Sequence, residues 1–131
     1  MAFEPPDYAR ALRDCVAGYE GSYARSVLLT PEVFELFAAL FVHPELPRGA
    51  RPMVASVLAY FVAPDDVLPE ETLGPYGLLD DLYAAAHAFR YLERDVDEGL
   101  LRSCWRGERD LYVVMADVYT DARAAVGKDR K

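Results

Sequence analysis

Four carboxylates near the middle of the chain have the residue types and grouping to do chemistry. Asp66 and Glu70 lie in a stretch rich in proline and glycine, and Asp80 and Asp81 follow where an apolar periodic segment begins. If the stretch closes as a hairpin, the four can converge and offer hard oxygen ligands of the kind that hold Mg, Mn or Ca. His87, seven residues after Asp80, falls on the same face of the helix expected there and is a fifth candidate ligand. That spacing differs from helical ligand pairs about three or four residues apart. The competing expectation is structural. Asp65 or Asp66 can accept hydrogen bonds from free backbone N–H groups of a turn. Asp80 and Asp81 start a helix, where the dipole favours negative charge by about 0.3–1 kcal/mol each. A structural clasp is therefore expected ahead of a divalent-cation site, and no residue is assigned a catalytic role.

The elements that must position these groups read as helices. Asp7 can cap a first helix running to about Tyr19, with Ala9, Leu12, Val16 and Tyr19 at helical spacing. Thr30-Pro31-Glu32 reads as the next start, with Thr as N-cap and Pro at the first helical position. Val33, Phe34, Phe37, Leu40 and Phe41 give that helix a wide apolar face, and His43-Pro44 stops it. A third helix is expected over roughly 49–62, with Val54, Val57, Leu58 and Phe61 as its stripe. Pro64 disfavours helical geometry at Ala63 and ends it. Prolines 64, 69 and 75 and glycines 74 and 77 then make a structured hairpin, with Val67, Leu68 and Leu73 tucked onto the helices.

From Leu78 a fourth helix runs to about Glu93, with Leu79, Leu82, Ala86, Phe89 and Leu92 inward. Asp95 or Asp97 can cap a short fifth helix carrying Leu100, Leu101 and Cys104, which Gly107 breaks or bends. The last helix, about 108–125, carries a stripe of Leu111, Val114, Met115, Val118 and Ala122, with Asp110, Asp117 and Asp121 placed away from it. No alternating strand is seen. The expected fold is all-α: a compact bundle of about five to six helices in one domain, residues 1–126, with a frayed basic tail at 127–131.

The segment from Ala59 to Glu70, followed by Gly77-Leu78-Leu79-Asp80-Asp81-Leu82, resembles the signature of the YkvA-like family. That family groups small, mostly bacterial helical proteins of unknown function. Pro64, Asp66, Pro69, Gly77, Asp80 and Asp81 match its pattern by type. Glu70 stands for an Asp, Ala63 for a Ser, and Asp65 for an apolar residue. The resemblance implies a helical fold and marks the hairpin as the family's signature; it implies no chemistry. The charge at Asp65 argues against a membrane-surface role for the hairpin.

Bulk properties narrow the function classes further. The 131 residues hold 22 Asp and Glu against 14 Lys and Arg, a formal charge of −8. Such a surface repels phosphate backbones and anionic headgroups, and nucleic acid is excluded as an expected partner. Arginines 48, 51, 90, 94, 102, 106 and 109 are interspersed with acids and read as solvated faces. No apolar run approaches the ~20 residues of a membrane span, and no signal peptide is seen. Cys15 and Cys104 read as two reduced, mostly buried thiols of a cytoplasmic protein. His43 reads as structural, and His87, beside Tyr83 and Tyr91, as a half-buried hydrogen-bonding residue. No phosphate-loop, dinucleotide, zinc-ligand or Gly-x-Ser-x-Gly pattern occurs.

The nine tyrosines and Trp105 can furnish an interaction face. The function expected is a non-enzymatic helical interaction or accessory protein that docks on a protein partner or on itself, with no cofactor. The alternatives are a carboxylate-site divalent-metal protein, such as a hydrolase, and peripheral membrane association.

Overall fold

The structure, a computed structural model, describes residues 5–62 and 78–129, with side chains described for 8–62 and 78–127. All of its regular secondary structure is helical among the described residues. The helices are α1 (Pro5–Val16), α2 (Ala24–Val27, a single turn), α3 (Thr30–Val42), α4 (Arg51–Val62), α5 (Leu78–Asp95), α6 (Glu98–Ser103) and α7 (Leu111–Asp129). A 3-10 turn, Arg48–Ala50, leads into α4. The all-α bundle expected from sequence forms, with the one-turn α2 added.

Several helix ends differ from expectation for local reasons. α1 already contains Pro5, so Asp7 sits inside its first turn and does not cap it. It ends at Val16, before Gly18 takes a left-handed φ of 75°. Thr30 is the first residue of α3, and the N-cap is Leu29. The Thr30 hydroxyl instead donates to the Val27 carbonyl at 2.7 Å, tying α3 to the turn before it. Arg51 is more than a solvated charge: its guanidinium donates to the carbonyls of Phe41 and His43, so it closes the C-terminal end of α3. Asp97 caps α6 through the Leu100 amide at 3.2 Å, and Asp110 caps α7 through the amides of Tyr112 and Val113. Between these two helices the Trp105 ring lies over Gly107, where a Cβ would come within 2.3 Å of it. Its Nε1 donates to the Arg109 carbonyl at 2.8 Å.

The core gathers the predicted stripes. Val33, Phe34, Phe37 and Leu40 of α3 are buried, as are Leu79, Leu82, Ala86, Phe89 and Leu92 of α5 and Leu111, Val114, Met115, Val118 and Ala122 of α7. Phe41, on the stripe's face but in the last turn of α3, is exposed. α5 is the hub: it packs most extensively on α7 and also touches α4, α3 and α2. Cys104 is buried, and burial pushes its thiol pKa up. Cys15 is exposed, contrary to expectation, because it faces away from the α1 stripe.

One charged residue is buried where the sequence pattern placed it outward. Asp121 is 8% exposed. The Arg25 guanidinium grips it from α2 with two hydrogen bonds, 2.9 and 3.1 Å, and Ser26 Oγ donates to it at 2.7 Å. The bond from Arg25 holds the Asp121 carboxyl below the usual carboxylate range, aided by Ser26 and opposed by burial. Arg109 reaches Asp117 at 3.1 Å, and Arg102 bridges Glu98 and Asp110 at 2.8 and 2.7 Å. Arg25 thus fastens α2 to the middle of α7, and Arg102 fastens α6 to the residue that caps α7.

Candidate functional site: the α4/α5 cleft

α4 ends and α5 begins at the same end of the bundle. Asp80 and Asp81 occupy the first turn of α5, as expected, and both are buried, at 2% and 0% exposure. The Tyr60 hydroxyl, one turn from the end of α4, donates to Asp80 Oδ2 at 2.8 Å. Both aspartates are engaged by other groups of the protein. Pro64, Asp66, Pro69, Glu70 and Gly77 lie outside the described residues. Among the described residues no three His, Cys, Asp or Glu side chains gather to hold a metal ion.

From Asp80 a cleft of about 360 Å³ runs between the two helices, within the usual range of ligand pockets. Its α4 wall is Met53, Ser56, Val57 and Tyr60, positions that share one face of a helix. Its α5 wall carries Asp80, Tyr83, His87 and Tyr91 at helical spacing, with Ala84 and Ala88 leaving room between the larger side chains. Past Met53 and Tyr91 it adjoins a hollow of about 230 Å³ that ends at Asp95. Asp80 and Asp95 therefore bracket a path roughly 22 Å long, at about 1.5 Å of rise per residue of α5.

The rings of the α5 wall touch in series, tilted and edge-on. His87 is 5.9 Å from Tyr83 and 5.7 Å from Tyr91 between ring centroids. Tyr119 of α7 stacks on Tyr83 at 6.0 Å and on His87 at 6.5 Å. His87 is exposed, where a half-buried hydrogen-bonding role was expected; it is flanked by a tilted contact with Tyr83, an edge-on contact with Tyr91 and a stack on Tyr119. It does share a cleft wall with Asp80, so the two fall on one face as their spacing predicted. Ser56 lines the same cleft, and no hydrogen bond joins it to His87 among the described residues. His43 has the structural role expected: its Nδ1 accepts from the Glu45 amide at 3.1 Å.

The resemblance to known proteins falls on this part of the molecule. Residues 50–86 match the family described as "Protein of unknown function (DUF1232)". Over 122 residues the chain is 31% identical to "Uncharacterized protein ORF9" of Methanothermobacter thermautotrophicus, covering 93% of this chain and 84% of that protein. The chain belongs to the DUF1232 family. DUF1232 is the YkvA-like domain family, so the resemblance carried by the hairpin residues holds at the level of the family. The DUF1232 match takes in Met53, Tyr60, Asp80 and Tyr83 and stops before His87 and Tyr91. No solved structure matches the chain.

Sequence reasoning found Asp80, Asp81 and His87 but missed Tyr60, Met53 and Tyr91 as wall residues. A signal was present. Tyrosines 83 and 91 flank His87 at four-residue spacing, and 53, 56, 57 and 60 share a face beside the α4 stripe, with Val57 common to both. That the two faces meet is a tertiary fact.

Proposed function

We propose that this DUF1232 member is a non-enzymatic helical interaction module whose α4/α5 cleft takes a basic amphipathic helix from a protein partner. The observation that carries the reading is the cleft itself: apolar and aromatic along its length, with a carboxylate at each end and no Lys or Arg lining it among the described residues. A groove between antiparallel helices suits a third helix laying its apolar face along it. Tyrosine and methionine walls are the composition that binding hot spots favour. Charge sets the partner's sign. Exposed Asp95 at one end, within a chain of net charge −8, favours a partner with cationic side chains. The Tyr91 ring already carries the Arg94 guanidinium 5.7 Å from its centroid, a contact that a partner's Lys or Arg would repeat.

The test is fluorescence anisotropy with a labelled synthetic helix bearing Leu on one face and Lys at both ends, beside the same peptide with Glu in place of Lys. The Lys peptide is expected to bind at least about tenfold more tightly, a difference of about 1.4 kcal/mol. Met53→Asp, at the centre of the cleft, should abolish binding while leaving the fold intact. Equal affinity for both peptides, or full binding by Met53→Asp, would overturn the reading.

A further inference from the structure

On its other side α5 forms a second cleft, with α7, of about 390 Å³. The buried sides of Phe89 and Met115 form its floor, and Arg90, Tyr119, Thr120 and Arg123 stand around it, with Glu93 on the rim. Two cations converge here on one ring. The Arg90 guanidinium lies 4.7 Å from the Tyr119 centroid and that of Arg123 lies 6.0 Å from it. Arg90 also donates to the Tyr119 hydroxyl at 2.8 Å. Tyr119 is itself held by its stack on Tyr83 and His87, so the arginines rest on a fixed platform.

Arginines laid on tyrosines at a surface are ordinary, and a packing role is the plainer account. Arg13, Arg25, Arg102 and Arg109 each pair with a carboxylate within 4.0 Å. Arg90 and Arg123, like Arg48, Arg51, Arg94 and Arg106, do not, among the described residues. What sets Arg90 and Arg123 apart is that both lie over one ring and line one cleft, which Glu93 shares. Two guanidiniums on one aromatic platform, neither paired with a carboxylate among the described residues, line one cleft. Guanidinium forks match the oxygens of phosphoryl and carboxylate groups. The floor beneath them is apolar and suits a flat hydrocarbon body.

We propose that the α5/α7 cleft is an oxyanion-binding site for a small molecule that carries a phosphoryl or carboxylate group on an apolar, flat body. Arg90 and Arg123 hold the oxyanion, Tyr119 holds the arginines, and Phe89 and Met115 receive the body. The site is independent of peptide docking in the α4/α5 cleft, and either can fail without the other.

The experiment is titration calorimetry, backed by NMR shifts of the tyrosine rings, with phenyl phosphate and benzoate as probes and inorganic phosphate and phenol as partial ligands. Phenyl phosphate or benzoate should saturate the protein and bind at least about tenfold more tightly than either partial ligand. Saturation by one probe and not the other identifies the oxyanion the site takes. Arg90→Gln and Arg123→Gln should each weaken binding about tenfold, the loss expected for a charge-assisted fork. Tyr119→Phe, which keeps the ring and frees Arg90, should cost less. Arg48→Gln, on an exposed turn away from the cleft, is the control, and circular dichroism checks that each variant is folded. No saturation by either probe up to about 10 mM, the weak limit for small-ligand binding, would overturn the proposal. So would equal losses in Arg48→Gln and the two cleft variants.

Discussion

Asp121 and Asp80 are each buried on a long helix, and each finds a partner on a neighbouring one. Asp121 meets a guanidinium and a hydroxyl from α2. Asp80 meets the neutral hydroxyl of Tyr60 and borders a cleft. A buried carboxylate needs compensation, and these two obtain it differently. At Asp121 the pairing charge comes from the chain itself, and the result is a fastening. At Asp80 a tyrosine hydroxyl of α4 donates and the residue lines a cleft, so its position suits recognition as well as folding. Equal burial of equal groups therefore does not mean an equal role.

That contrast can be broken by experiment. The largest effect expected is from Leu82→Ala, a fully buried side chain of the α5 hub. It should cost about 3 kcal/mol in urea unfolding, and a single transition would show that both regions belong to one cooperative unit. Asp121→Asn should cost about 2 kcal/mol, the value of charge-assisted hydrogen bonds lost at a buried site. Asp80→Asn should cost less than that, and equal losses in thermal melts would erase the distinction.

Acidification tests the same point. The folded-state pKa of Asp121 is lowered, chiefly by Arg25, so its contribution is complete above the unfolded value of about 3.9. It is lost as pH falls through the lower folded value. Asp110, lowered chiefly by Arg102 and then by the Val113 amide, loses its contribution in the same direction. Unfolding free energy should therefore fall on acidification below about pH 4, and the fall should be shallower in Asp121→Asn. The smallest effect belongs to Tyr60→Phe, which removes one hydrogen bond worth about 1 kcal/mol. A change well above that in its urea midpoint would make Tyr60 a fastening like Arg25.

The elements were legible because their signals are local. The stripe from Leu111 to Ala122 follows the helical period and packs as read, and Asp97 caps α6 from a sequence that advertises it. Asp121 was misread for a physical reason. It lies three residues after Val118, at the edge of the stripe, and whether an acid there is buried depends on a cation 96 positions away. Thr30 was displaced by one residue because its hydroxyl found the Val27 carbonyl, in a turn that periodicity does not reveal. Asp80, Asp81 and His87 were singled out by type and spacing. The cleft that Asp80 and His87 share is made by two helix faces meeting, which neither face encodes alone.

The Trp105 ring over Gly107 has an optical consequence. It is the chain's single tryptophan, set between α6 and α7 with its indole N–H fixed on the Arg109 carbonyl. Neither the α4/α5 nor the α5/α7 cleft has it in its lining. Its emission should report the opening of the α6–α7 junction and stay nearly silent when either cleft is filled. Tyr60, Tyr83, Tyr91, Tyr112 and Tyr119, which line the two clefts, would carry the complementary signal, so one cuvette can distinguish unfolding from occupancy without an added dye.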